Sequence, residues 1–111
     1  LELVGDAQEV AFDLMQEGID GAAVHSAVED FINKTEFKGK FVHATGHSLG
    51  LEVHDGKGLG REKIGLEENM VITVEPGVYV KGIGGVRLED DVIVKKGGIG
   101  KLSRRNRFFE L

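Results

Sequence analysis

VITVEPGVYVKGIGGVRLEDDVIV, residues 71–94, decides the fold class of this 111-residue chain. Val71 to Val80 is a dense β-forming run, KGIGG at 81–85 has the composition of a hairpin loop, and Val86 to Val94 reads as the return strand. Glu75 is out of place inside this pattern. A carboxylate buried among β-branched apolar neighbours is costly unless it is paired or bound to metal. Pro76 holds Glu75 extended and confines the strand to an edge or its end. The bland alternative is a Glu75 that points to water from a half-exposed strand. On the return strand, Arg87, Glu89 and Asp91 share one face by the strand period of two. A symmetric loop would set Val80 against Val86 and Glu75 against Asp91. Glu89 would then be the diagonal neighbour of Glu75, about 7–8 Å away at its base. A one-residue slip would put these carboxylates on different faces. The plain alternative for this strand is an acidic stretch with a local Arg–Glu pair.

Upstream, the apolar period is helical. Ala7, Val10, Ala11, Leu14 and Met15 predict one amphipathic helix, and Val24, Ala27, Val28, Phe31 and Ile32 a second. Gly18 sits where the first helix would end, and Asp20 is a good N-cap for the next. Lys34 to Lys40 is a polar connector. Phe41 to Thr45 reads as a short strand, and Lys95 to Gly100 as a further turn. Helices first and antiparallel strands after them make the chain α+β.

Three of the four histidines fall in HATGHSLGLEVHD, residues 43–55: His43, His47 and His54. Histidine is a metal ligand or proton carrier near neutral pH, and Gly46 and Gly50 would let other groups approach His47 closely. Three surface histidines on a loop are the alternative. Joined with Glu75 and Glu89, one or two histidines would make a hard, oxygen-rich site that favours Mn, Co or Fe over a closed structural zinc. Paired metals activate a water and polarise a carbonyl, so the chemistry these residues suggest is metal-assisted hydrolysis.

Composition narrows the alternatives. With 41% hydrophobic residues the chain can bury a core as a single unit. It has no cysteine, which excludes disulfides and thiol nucleophiles. No apolar run approaches the roughly 20 residues that span a bilayer. The N-terminal LELVGDAQEV lacks a basic leader, so no signal peptide is expected and the cytoplasm is the expected location. A net charge of −5 argues against nucleic acid. The charge is uneven: residues 1–94 hold 18 acids against 8 Lys and Arg, whereas residues 95–111 hold 6 basic residues against Glu110. That tail is expected to be solvated, or else to meet acidic surface elsewhere in the molecule.

The three segments together resemble the histidine-glycine motif, the Glu-Pro-Gly strand and the Val-Arg-Leu-Glu-Asp strand of the pita-bread metallopeptidases. These include methionine aminopeptidases, prolidases and Xaa-Pro aminopeptidases. The resemblance covers nearly all of the chain and implies that residues 1–111 are the C-terminal half of such a catalytic domain. It implies His47, Glu75 and Glu89 as metal ligands, with Glu75 also shuttling a proton and Glu89 bridging two divalent ions (Mn, Co, Fe or Zn). It implies His43 and His54 on the substrate side and Arg87 beside the bridging glutamate. Arg87, and Val53 before His54, resemble the Xaa-Pro branch more than the methionine-specific one. A peptide with proline at its second position is the implied substrate. The family also uses two aspartates that nothing here matches, since Asp6 and Asp13 lie on the first helix. The isolated chain is therefore expected to bind metal weakly or not at all, to lack turnover and to pair as a homodimer. A methionine aminopeptidase-like enzyme and a non-catalytic binding module are the competing readings.

Overall fold

The computed structural model describes residues 2–49 and 58–109, the side chains of 103–109 excepted. Helix α1 spans Glu2–Leu14 and α2 spans Gly21–Asn33. Asp20 caps α2 as expected, its carboxylate accepting the Ala22 N–H at 3.0 Å and the Ile64 N–H at 3.1 Å. The stripes are rotated from those predicted. On α1 the buried face is Val4, Ala7, Gln8, Ala11 and Phe12, followed by Met15, while Val10 is half-buried and Leu14 is 39% exposed. On α2, Val24, His25, Val28 and Ile32 are buried, with Ala27 and Phe31 half-buried. The apolar spacing fixes a helix but leaves its phase free by about one residue, and packing against the sheet settles it.

The strands are β1 (Gly46–His47), β2 (Gly58–Leu59), β3 (Val71–Val74), β4 (Gly77–Val80), β5 (Gly84–Lys95) and β6 (Gly98–Phe109). Strand β5 is the spine. β3 and β4 both pair with it antiparallel along one edge, and β6 pairs along the other. The predicted run Val71 to Val80 is thus one strand broken at Glu75–Pro76. Proline has no N–H to give the ladder, and the Glu75 N–H turns away to the Thr45 carbonyl at 2.6 Å. Ile72, Val74, Val92 and Val94 are fully buried in the core shared with the helices. Each such side chain contributes about 1.5–3 kcal/mol on leaving water.

Four boundaries differ from the sequence reading. The hairpin loop is only Lys81 to Ile83, with Gly82 at φ +84°, a conformation glycine adopts without steric cost. Gly84 and Gly85 belong to β5. The register is consequently shifted by two: Val80 pairs with Gly84, and Thr73 with Asp91. The same register runs on both sides of the break, so Glu75 falls opposite Glu89 and not Asp91. An even shift preserves the face. Phe41 to Thr45 forms no strand, because Thr45 spends its N–H on the Leu59 carbonyl at 2.8 Å and its own carbonyl on Glu75. The predicted turn at Lys95 to Gly100 shrinks to Lys96–Gly97. The basic tail beyond it is strand β6, whose backbone sets Arg104 opposite Asp90 and Arg105 opposite Glu89.

Candidate functional site

Period two on β3, β4 and β5 divides the sheet into two faces. Ile72, Val74, Val92 and Val94 lie on the helix side. Thr73, Glu75, Tyr79, Arg87, Glu89 and Asp91 fall on the other. His47 reaches that second face from β1. A bridge from Ser48 to Ile72 and the Leu49 N–H donated to the Val71 carbonyl at 2.9 Å lay residues 45–49 along the free edge of β3. The approach is close. A methyl group on Gly46 would fall 1.7 Å from the Thr73 carbonyl oxygen, so only glycine fits there. The Thr73 hydroxyl then accepts the His47 N–H at 2.9 Å.

The His47 Nε2 stands 3.6 Å from Glu75 Oε2, and Arg87 Nη1 stands 3.8 Å from Glu75 Oε1. Glu75 is 14% exposed in its side chain against 49% for His47. The imidazole Nδ1 donates to the Ser48 carbonyl in a long 3.4 Å contact. This turns Nε2 toward the carboxylate, an arrangement of nitrogen and oxygen that suits a shared proton or a metal cation. Glu89 is 8% exposed on the rung opposite Glu75. Among the described residues no three His, Asp or Glu side chains close into a metal-holding cluster. Like charges directly opposite on a ladder repel, which works against Glu89 joining the His47–Glu75 pair. One imidazole and two carboxylates nonetheless fit a divalent ion by donor type.

His43 sits beside this pair. Its Nδ1 donates to the Ala44 carbonyl at 2.7 Å, so its Nε2 accepts the Tyr79 hydroxyl at 2.7 Å. Burial pushes the Tyr79 phenol up, against the opposing pull of Arg87, whose guanidinium hydrogen-bonds it. The Arg87 Nε is buried without a hydrogen-bond partner among the described residues. A cleft of about 240 Å³ opens next to His47, lined by Ala44, Gly58, Gly60, Arg61 and Glu62 among others. His54 lies outside the described residues.

Sequence reasoning passed over two members of this neighbourhood. Tyr79 shares the face of Glu75 at an interval of four residues, a signal the strand period did carry. His25 stands at a stripe position of α2 and is 3% exposed, with its Nδ1 2.9 Å from the Thr45 hydroxyl. Burial lowers its pKa from the ordinary 6.5, with Glu29 opposing and Arg61 and His43 reinforcing.

Helices on one face of an antiparallel sheet, with a histidine and glutamates on the other, form part of the pita-bread fold of the metallopeptidases. The chain belongs to metallopeptidase family M24, whose family model matches residues 1–96. It is similar to the Xaa-Pro dipeptidase of Pyrococcus furiosus, 34% identical over 107 residues that cover 96% of this chain and 31% of the relative. The solved X-Pro aminopeptidase of Thermotoga maritima matches at TM-score 0.84 and 37% identity, over 94% of this chain and 31% of its own. The dipeptidase of Pyrococcus horikoshii matches at TM-score 0.83 and 44% identity, over 92% of this chain and 29% of its own. The chain therefore spans about 30% of the length of these relatives. Family membership implies divalent metal ions, and no described helix is long and apolar enough to cross a membrane.

Proposed function

We propose that residues 1–111 are the C-terminal half of the catalytic domain of an Xaa-Pro peptidase, supplying one histidine and two glutamates to a dinuclear metal centre. The observation that carries this is the His47–Glu75 pair, an imidazole Nε2 and a carboxylate oxygen 3.6 Å apart with an arginine on the far oxygen. Similarity to an Xaa-Pro dipeptidase and the presence of Arg87 support the Xaa-Pro assignment. When bound, a pair of divalent ions lowers the pKa of water and polarises the scissile carbonyl.

The chain's own residues do the rest. His47 offers Nε2, and Glu75 and Glu89 offer oxygens from opposed rungs of the ladder. Glu75 Oε1 is also the proton acceptor, and Arg87 fixes its orientation by lying 3.8 Å away on the same face. His43, which Ala44 and Tyr79 hold through its two ring nitrogens, and His54 take the substrate-side roles that the family resemblance implies. The 111 residues hold no match for the family's two aspartates, so the chain alone binds cations weakly and does not turn over. It pairs with a second copy.

The decisive experiment compares Glu89→Ala with His54→Ala in the enzyme of full relative length, by metal content and by Xaa-Pro hydrolysis. Glu89→Ala should lose both metal and rate, and His54→Ala rate alone. Equal metal loss would make His54 a ligand and overturn these roles. Light scattering on the 111-residue chain tests pairing, and a clean monomer at high concentration refutes it.

A further inference from the structure

We propose that His25, which no part of the peptide chemistry uses, is a positioning residue: its bond to Thr45 holds the backbone that sets His47 and Glu75 against each other. The proposal rests on the metal-site reading above.

Thr45 is fully buried and sits midway between His43 and His47. Three elements meet on it. Its N–H goes to Leu59 on β2 at 2.8 Å, its carbonyl takes the Glu75 N–H at 2.6 Å, and its hydroxyl meets His25 Nδ1 on α2 at 2.9 Å. The Glu75 N–H lies at the proline break, so Thr45 is what holds it. His25 also grips the segment through its ring, which packs 5.7 Å from the Phe41 ring. Phe41 is 5.0 Å from His43, and His43 is 5.3 Å from Tyr79. Both anchors of His25 thus bracket His43, and through Thr45 they reach Glu75. An apolar residue at this stripe position would pack as well without the desolvation cost of a buried imidazole. What only a polar side chain adds is the directional bond to the Thr45 hydroxyl. Glu29, Arg61 and His43 are the charged or titratable groups facing it, and a cleft of about 200 Å³ lined by Val42, His43, Ala44 and Arg61 lies along the ring.

The test uses His25→Phe, which keeps a ring and loses the bond, His25→Asn, which restores an amide near Nδ1, and Thr45→Val, which leaves α2 intact. Amide hydrogen exchange is read at Glu75, with Val28 and Val92 as core references. The Mn²⁺ concentration that broadens the His47 and Glu75 amides halfway is read in parallel. His25→Phe and Thr45→Val should each speed exchange at Glu75 by up to about tenfold, the worth of one hydrogen bond. They should raise the Mn²⁺ midpoint and leave Val28 and Val92 unchanged. The double variant should be no worse than either single one, and His25→Asn should recover most of both effects. Uniform acceleration at every amide, no change at Glu75, additive effects, or failure of Asn to recover would each overturn the proposal. Absence of Mn²⁺ broadening both in the wild-type chain and in the enzyme of full relative length overturns the metal-site reading instead, while the exchange pattern still decides whether His25 holds Glu75.

Discussion

The two sides of the candidate site are built on different principles. Glu89 is placed by a β-ladder in which many backbone bonds share the task of holding it, and Glu75 sits at a break flanked on both sides by the same register, with its N–H on Thr45. His43 and His47 ride on residues 41–49, where only Gly46 and His47 are strand. That segment is held by scattered contacts and not by a continuous ladder: short pairing with β2, the Ser48–Ile72 bridge, Gly46 against Thr73, the Thr73 hydroxyl on His47, and His25 on Thr45. A ladder averages over errors, whereas a segment pinned at points concentrates its dependence in a few residues. The carboxylate side should therefore tolerate neighbouring substitutions that the histidine side does not.

The strongest attempt to break this contrast is Gly46→Ala. Its methyl group must displace β3 backbone, so a loss of about 3 kcal/mol or more in urea unfolding is expected. A loss under about 1 kcal/mol would mean that β1 is loosely held after all. Glu89→Gln comes next: it should preserve the ladder and the melting temperature, yet weaken Mn²⁺ binding by at least the 10- to 100-fold typical of partners one shell further out. A large drop in stability with unchanged Mn²⁺ binding would place Glu89 in the scaffold.

Thr73→Val keeps the shape of a buried side chain and strands the His47 N–H. It should cost about 1–2 kcal/mol and raise exchange at His47 before it does so at Val92. The pH dependence sharpens the comparison further. His25 has a folded pKa below the unfolded 6.5, so the unfolded chain binds the extra proton first. Stability should be full above pH 6.5 and decline as pH falls from there toward the folded pKa. Thermal melts between those limits should show this slope in the wild type and lose it in His25→Asn. The smallest effect is expected for Arg61→Ala. Its 3.0 Å pair with Glu29 is largely solvated, with the Arg61 side chain 79% exposed, and removal should shift stability by no more than about 0.5 kcal/mol.

The sequence by itself determined the α+β class, the Asp20 cap, and the face shared by Arg87, Glu89 and Asp91, since each follows from local spacing. It also flagged Glu75, because a lone carboxylate before proline in an apolar strand is anomalous wherever the strand lies. The resemblance in three short motifs anticipated the family. Tertiary structure alone decided the rest. Register depends on how many residues the turn consumes, and Gly82 closed it in three, moving Glu89 opposite Glu75. Gly46 read as a residue that lets other groups approach closely, but which group does so, the Thr73 carbonyl 27 positions away in sequence, was decided by the fold. The basic tail read as solvated or as meeting acidic surface elsewhere, and its strand pairing beside Asp90 and Glu89 depends on the partner edge of β5. His25 stayed hidden for the same reason: a histidine on a helix stripe looks like any other until the chain folds back to place Thr45 beside it.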